Sequence, residues 1–224
     1  MSAGCITLAA TLARIRGAQH ADAAPARLLA VSKTQPAAVL RELAACGQRA
    51  FGENYVQEAL DKQHQLADLD LEWHLIGPLQ SNKCRDVARH FDWLESLDRA
   101  KLVPLLGAAR QPGRPPLNVL IQVNIDDEAS KSGCAPDQIE ELARRVTATP
   151  GLALRGLMAI PAPHPDVARR AEAFRHMRAL FETLRDRHPG ADTLSMGMSE
   201  DFELAIACGA TEVRVGSALF GPRG

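Results

Sequence analysis

The chain has 224 residues, of which 46% are hydrophobic and 24% charged, and 26 basic residues against 27 acidic ones leave a net charge of −1. This balance allows a substantial core and excludes a general electrostatic attraction to nucleic acid or anionic membranes. No apolar run reaches membrane-spanning length and the amino terminus lacks a signal-peptide core, so we expect a soluble, cytoplasmic protein.

The cysteines and histidines form no pattern typical of a metal site or of a disulfide framework. The five cysteines are scattered, with no C-x-x-C pair, at positions Cys5, Cys46, Cys84, Cys134 and Cys208. That distribution fits a reducing compartment. None of the seven histidines has H-x-x-x-H spacing, so we expect no metal.

Hydrophobic periodicity predicts helices and strands in alternation along the whole chain. The chain opens with an amphipathic helix over residues 5–16. Eight strands are predicted over residues 27–33, 49–51, 71–76, 92–96, 117–123, 152–160, 192–195 and 211–215, with a helix between each consecutive pair. The first strand is an apolar run that ends in Lys33, and Pro36 then suits the first turn of a helix.

Repeated βα units of this length close most economically as a (β/α)8 TIM barrel. The alternative, a doubly wound open sheet, is disfavoured because no G-x-G-x-x-G turn follows a strand. We expect one domain over residues 1–224. Few residues follow Val215, so the amino-terminal helix is predicted to cover the seam between the last and first strands.

In such a barrel the loops after the strands carry the chemistry. These positions are polar and cationic, which favours an anionic small ligand over a metal ion. They include Lys33, Glu53, Asn54, Tyr55, His74, Asn82, Lys83, Ser96, Asn124, Lys131, Ser195, Met196, Arg214, Gly216 and Ser217.

The seventh and eighth loops are candidates for a phosphate site. Residues 195–199 (SMGMS) and the Gly216-Ser217 pair offer backbone N–H groups and hydroxyls, although simple tight turns would have the same composition. Ser199 is a predicted N-cap of the following helix. A phosphate site opposite Lys33 suggests pyridoxal 5'-phosphate, whose aldehyde forms an imine with a lysine. Arg214 would face the pyridine nitrogen and keep it unprotonated, or else pair with phosphate or solvent.

Ordered sequence blocks cover nearly the whole chain and carry a resemblance to a known family. They read AVSKT (30–34), FGENYVQE (51–58), WHLIGPLQSNK (73–83), IQVN (121–124), SKSG (130–133), LRGLMAIP (154–161), DTLSMGMS (192–199) and VRVGSALFG (213–221). In these blocks the chain resembles the pyridoxal phosphate homeostasis proteins, single-domain relatives of the fold-type III alanine racemases. Leu75 departs from the pattern, since an aromatic residue is expected there.

The resemblance implies a racemase-like barrel with Lys33 as the imine lysine and Arg214 at the ring nitrogen. It places Ser195, Met196, Gly216 and Ser217 at the phosphate and, by the same analogy, Asn54, His74 and Asn82 around the pocket. It also implies a protein that carries and buffers the cofactor for vitamin B6 homeostasis, with apo forms of pyridoxal-phosphate-dependent enzymes as partners. We expect a monomer. Whether Lys131 also holds the cofactor stays open.

The main alternative is an amino-acid racemase or a related enzyme that uses the same cofactor. In racemases of this fold type, by resemblance, a tyrosine from a β-domain of the partner subunit is the second base. The lone tyrosine here, Tyr55, follows the second strand, so proton transfer lacks a named second base and a non-catalytic carrier is predicted. A Schiff-base aldolase would need an acid/base pair, for which Glu53 is the single nearby carboxylate.

Overall fold

Eight parallel strands close into a barrel in sequence order, which confirms the predicted fold. The computed structural model describes residues 2–19, 25–126 and 132–221. The strands are β1 Arg27–Val31, β2 Ala50–Glu53, β3 Glu72–Leu75, β4 Trp93–Leu97, β5 Leu117–Val123, β6 Leu152–Ala159, β7 Thr193–Ser195 and β8 Glu212–Val215. Strand β8 pairs with β1 and closes the barrel, with Leu29 opposite Arg214 and Ala30 opposite Val215.

The helices lie outside the strands and bury their apolar faces against them. They are α1 Ala3–Gly17, α2 Ala37–Ala45, α3 Val56–Gln65, α4 Cys84–His90, α5 Val103–Ala109, α6 Ile139–Thr147, α7 Val167–Arg187, α8 Phe202–Ala207 and α9 Ser217–Phe220. Phe174, Met177 and Phe181 of α7, for example, are almost completely buried. No helix in the described ranges is long and apolar enough to cross a membrane.

Helix α1 packs where the sequence predicts, against α2, α8 and α9, on the side where β8 meets β1. Helix α9 is one short turn of helix after β8, so α1 supplies most of the apolar cover of that seam, through Leu8 and Ile15. This packing keeps the ends of β1 and β8 side by side.

Cys5 and Cys46 form a disulfide, contrary to the expectation from the sequence. Cys5 lies in the first turn of α1 and Cys46 directly follows α2, with a Cα–Cα distance of 5.4 Å. The packing of α1 against α2 brings the two thiols together across 41 residues, and no local spacing pattern signals such a contact. Cys84, Cys134 and Cys208 are free thiols.

The inside of the barrel is polar at its centre, which the apolar strand patterns do not suggest. Five buried side chains on four strands carry charge or hydroxyl groups there: His74 on β3, Glu95 on β4, Ser195 on β7, and Glu212 and Arg214 on β8. Buried polar groups need partners, so the hydrogen bonds among these side chains decide how the interior is held.

Candidate functional site

Lys33 lies at the mouth of the barrel, which we define as the end where the strands finish at their carboxyl termini. Strand β1 ends at Val31, and Lys33 follows in a turn in which Thr34 has φ 66°. The Gly216 backbone lies against Val31, because a Cβ at Gly216 would be 3.4 Å from the Val31 carbonyl oxygen. One small pocket is therefore shared by both chain segments, and its lining is Val31, Lys33, Gln35, Gly216, Ser217, Phe220 and Gly221.

The turn that carries Lys33 is anchored by the buried ammonium group of Lys62. The Lys62 Nζ donates to the Ser32 carbonyl oxygen at 2.8 Å, and Lys62 is only 5% exposed. The same Nζ donates to Glu53 Oε1 and Glu58 Oε1, each at 2.7 Å. All three hydrogens of the ammonium group are thus used, which fixes its position.

The two carboxylates bound to Lys62 hold the residues on either side of Lys33. Ser32 Oγ donates to Glu53 Oε1 at 2.5 Å, and the Thr34 N–H donates to Glu58 Oε1 at 2.5 Å. Burial raises the pKa of Glu53 although Lys62 and Ser32 oppose that effect. The backbone before and after Lys33 is therefore anchored by one network, which we call the Lys62 network (Ser32, Thr34, Glu53, Glu58 and Lys62).

Across the pocket, two backbone N–H groups converge on a hydroxyl. The Gly216 N–H and the Ala218 N–H donate to Ser199 Oγ at 3.2 and 3.3 Å. Convergent N–H groups at the start of a helical turn bind anionic oxygens well. Ser199, Gly216 and Ala218 therefore form a donor cradle beside Lys33.

Ser199 does not cap a helix as the sequence predicts. Helix α8 begins at Phe202, and Asp201 precedes it and accepts a hydrogen bond from the Met198 N–H at 2.7 Å. The intervening residues form a turn, so the Ser199 hydroxyl is directed to the loop after β8 instead. The composition of residues 195–199 correctly drew attention to this loop. Which of its two serines reaches the loop after β8 depends on the fold.

Ser195 and Met196 belong to the barrel interior and are not part of the cradle. Ser195 Oγ donates to Glu95 Oε2 at 2.7 Å and accepts from an Arg214 N–H at 2.7 Å. The Met196 N–H donates to the Glu212 carbonyl oxygen at 3.2 Å in the pairing of β7 with β8. These groups are hydrogen-bonded within the protein, and the expected position of Ser195 and Met196 at a phosphate stays a prediction.

Arg214 is buried directly beneath the mouth. One guanidinium nitrogen donates to Ser195 Oγ and the other to the Ala159 carbonyl oxygen, both at 2.7 Å. Burial holds the pKa of Arg214 below its usual value, while Glu95 and Glu212 act in the opposite direction. The guanidinium is thus held at the carboxyl ends of β6, β7 and β8, where its remaining N–H groups can face a ligand.

His74 lies deeper in the barrel than a pocket-lining residue would. Its Nδ1 is 2.7 Å from Glu95 Oε1 and its Nε2 is 2.6 Å from Glu72 Oε1. The imidazole stacks on Trp93 with ring centroids 5.1 Å apart and an interplanar angle of 6°. Both nitrogens face carboxylate oxygens, and only the imidazolium form can donate to both.

Glu212 is the one buried carboxylate of the described interior with no hydrogen-bond partner on either oxygen. The nearest cation is Arg27, whose Nε is 3.9 Å from Glu212 Oε2. Burial and the neighbouring Glu95 raise the pKa of Glu212 to about 7. Burial would also raise the pKa of Glu95, but its contacts with His74, Arg214 and Ser195 outweigh burial and lower it.

Two further predicted residues, Asn54 and Asn82, lie in the segments that follow β2 and β3. Asn54 is half-buried after β2, where Gly77 packs so closely that a Cβ there would be 2.1 Å from the Asn54 carbonyl oxygen. Asn82 is exposed in a helical turn (Ser81–Lys83) after β3. Lys131 lies outside the described residues.

The sequence pattern missed Lys62, Glu95 and Glu212. Two of them are charged residues inside otherwise apolar strands, which is the one signal the sequence offers for a buried ionic group. Lys62 sits on the buried side of α3 and gives no such signal, because a lysine on a helix normally extends to solvent.

Comparison with known proteins defines the class first. The sequence model described as "Alanine racemase, N-terminal domain" matches residues 6–224. Alanine racemase from Corynebacterium glutamicum has the same fold, with a TM-score of 0.70 at 21% identity over 98% of this chain and 61% of that one. The barrel is therefore of the alanine racemase amino-terminal type.

Nearer relatives narrow the class to one family. A pyridoxal phosphate homeostasis protein of Pseudomonas aeruginosa is 55% identical over 100% of this chain and 97% of its own, and that of Escherichia coli is 54% identical over 88% and 85%. The structure of PipY from Synechococcus elongatus with PLP bound has a TM-score of 0.85 at 38% identity, covering 97% of this chain and 100% of that one. The chain belongs to the pyridoxal phosphate homeostasis protein family.

Removal of the Lys62 ammonium group should destabilise the fold. Lys62→Met leaves the buried Glu53 and the partly exposed Glu58 without their shared cation, and we expect a loss of about 3–5 kcal/mol in the free energy of unfolding. Denaturant titration measures the change. The control Lys83→Met removes a half-exposed lysine and should stay within about 0.5 kcal/mol of the parent.

A second variant separates the buried charge from the lost packing. Adding Glu53→Gln to Lys62→Met removes one uncompensated charge and should restore part of the loss. Equal stability of the Lys62→Met variant and the parent would contradict the assigned role of the network.

Proposed function

We propose that the chain binds pyridoxal 5'-phosphate through Lys33 and carries or buffers it for vitamin B6 homeostasis inside the cell, with apo forms of pyridoxal-phosphate-dependent enzymes as recipients. The observation that carries this proposal is the single pocket lined by Lys33 and by the Gly216-Ser217 turn. The names of the curated relatives and the PLP-bound state of PipY support it.

The residues around this pocket fit the three polar parts of the cofactor. The donor cradle suits a phosphate, because the Gly216 and Ala218 N–H groups hold the Ser199 oxygen and leave its hydroxyl hydrogen to be donated. The Lys33 amine suits the aldehyde, and the Lys62 network fixes the backbone on both sides of it. Arg214 has donors and no acceptor, so it suits an unprotonated ring nitrogen.

When bound, the cofactor supplies an aldehyde that condenses with a neutral lysine amine and releases water. The protein's own residues then orient and retain it. Arg214 can only donate to the ring nitrogen, so it opposes protonation there and weakens the electron-withdrawing power that amino-acid chemistry uses. This favours holding the cofactor over turning over a substrate.

The candidates for a second proton-transfer group are poorly placed. Tyr55 is 63% exposed and precedes helix α3. The Glu53 carboxylate is engaged by Ser32 and Lys62 beneath the mouth. Racemisation needs a base within hydrogen-bond reach on each face of the substrate, so these positions favour a carrier.

Lys33 should be the residue that carries the bound cofactor. Borohydride treatment of the loaded protein should fix the label to the Lys33 peptide, as mapped by mass spectrometry. Lys33→Ala should weaken retention by more than about tenfold, or about 1.4 kcal/mol, whereas Lys83→Ala should leave it unchanged. A parent protein labelled at another lysine, such as Lys131, would refute the assignment.

Ser199 should contribute specifically to binding of the phosphate group. Ser199→Ala removes one donor, and we expect pyridoxal 5'-phosphate to bind about tenfold more weakly or worse, since a hydrogen bond to a charged group contributes about 1.5–3 kcal/mol. Binding of pyridoxal, which lacks the phosphate, should not change. Ser81→Ala, an exposed serine after β3, is the control, and equal losses for both ligands would exclude the phosphate role.

Proton exchange distinguishes the carrier from a racemase. Alanine deuterated at Cα should keep its deuterium when incubated with the loaded protein, because Arg214 weakens the electron-withdrawing power of the ring on which loss of the Cα deuteron depends. Proton NMR measures the exchange. Washout at about 1 per second or faster, the lower range of enzyme turnover, would establish catalysis instead.

A further inference from the structure

A run of buried hydrogen bonds connects the mouth with the centre of the barrel. It passes from Arg214 to Ser195 Oγ, from Ser195 to Glu95, and from Glu95 to the His74 imidazole. Each link is 2.7 Å long, and all four side chains are buried. We call these four residues the interior chain. Its upper end is the guanidinium proposed to face the cofactor.

Glu212 lies beside the interior chain without being part of it. One imidazole nitrogen of His74, one carboxylate oxygen of Glu95 and one of Glu212 all lie within 4.8 Å of one another. Glu95 uses both of its oxygens in hydrogen bonds, to His74 and Ser195, whereas neither Glu212 oxygen has a partner. An ionised carboxylate is costly in such a place, and a proton would let Glu212 donate to Glu95.

The titratable and charged groups around Glu212 lie on β1, β3, β4 and β8. Arg27 stands on β1, His74 on β3, Glu95 on β4 and Arg214 on β8 itself. Glu72 on β3 contacts Arg27 and His74. With Glu72 included, three carboxylates share the two guanidiniums of Arg27 and Arg214. Protonation of Glu212 leaves two carboxylates for the two guanidiniums. A divalent metal ion would add charge beside two arginines, so a proton suits the site better.

We propose that Glu95 and Glu212 share one proton inside the barrel and act through Ser195 as a positioning pair for Arg214, so that retention of the cofactor depends on that proton. The part concerning the cofactor rests on the proposed function. The shared proton itself is a property of the cofactor-free protein.

The charge of the Glu95–Glu212 pair determines how its proton affects Arg214. With the proton in place, the carboxylate pair holds a single negative charge, and Arg214 is freer to donate toward the ring nitrogen. Once the proton leaves, a second negative charge draws the guanidinium inward. Burial and Glu95 raise the pKa of Glu212 to about 7, so the change falls near neutral pH. Because binding and protonation are linked, the cofactor must in turn favour the protonated pair.

The raised pKa of Glu212 also makes the stability of the folded chain depend on pH. The pKa of Glu212 is higher in the folded chain than in the unfolded one. The stability associated with its proton is therefore complete below the unfolded value and is lost as the pH rises through about 7. Glu212→Gln, which cannot ionise, should lack this loss.

Infrared spectroscopy of the cofactor-free protein tests the shared proton. The carbonyl stretch of protonated carboxylic acids should include a component that is present below neutral pH, disappears as the pH rises through about 7, and is missing from Glu212→Gln. Asp98→Asn is the matched control, since burial also raises the pKa of Asp98 but its side chain lies outside the cluster. That variant should keep the band. A parent protein without the band would overturn the shared proton.

Release of pyridoxal 5'-phosphate tests the link to Arg214. At about pH 8 the cofactor should leave the parent about fivefold faster or more than it leaves Glu212→Gln, while at about pH 6 the two rates should agree. Comparison at equal pH cancels the titration of the cofactor itself. Ser195→Ala keeps both carboxyl groups of the pair and removes the hydroxyl that joins Glu95 to Arg214. It should keep the infrared band, with its midpoint moved by the lost hydrogen bond to Glu95, and lose the pH dependence of release contributed by Glu212. Equal rates for the parent and Glu212→Gln at both pH values would refute the link.

These outcomes separate the inference from the proposed function. Failure of the parent to bind pyridoxal 5'-phosphate would refute the function and the effect on retention together, while the infrared band still decides the shared proton. Normal binding at Lys33 with pH-independent release would refute only the link. If Glu212→Gln fails to fold, the band in the parent and the behaviour of Ser195→Ala decide both parts.

Discussion

The pairing of β8 with β1 is the constraint on which the candidate site depends. It joins segments about as far apart in sequence as the barrel allows, and it sets Ala30 beside Val215. The turns that follow these two strands then meet, so Lys33 and Gly216 line one pocket. An open sheet made from the same strands would place the two turns at opposite edges. Closure of the barrel, more than any local motif, creates the site.

Closure also encloses a space where polar side chains have no access to water. Such groups must satisfy one another, and here they do so across β3, β4, β7 and β8. These hydrogen bonds hold Arg214 in place, while the Lys62 network, which joins α3 to the end of β2, anchors the turn that carries Lys33. The two residues proposed to hold opposite parts of one cofactor are therefore fixed by two separate polar networks.

Much of this arrangement could be predicted from the sequence, because it follows from local patterns. The apolar run of β5 gave its bounds correctly at Leu117–Val123, and repeated βα units gave the barrel. Lys33 and Gly216 were identified because residues after barrel strands always reach the mouth. The inward direction of the Ser195 hydroxyl, the hydrogen bonds to Ser199 and the Cys5–Cys46 bond could not be predicted, since each depends on which distant residue becomes a neighbour.

The disulfide gives the segment around Lys33 a particular covalent topology. Cys5 and Cys46 enclose β1, the lysine turn and α2 in a ring of the chain that is closed independently of the fold. In the chain-entropy description, a ring of about 40 residues removes freedom from the unfolded ensemble equivalent to roughly 4 kcal/mol. That restriction applies to the region that carries the candidate lysine and leaves the distal half of the barrel, from β4 to β7, unconstrained by any crosslink among the described residues. Formation or reduction of the Cys5–Cys46 bond therefore changes the conformational freedom of the unfolded chain around β1 and α2, and not that of the segment from β4 to β7.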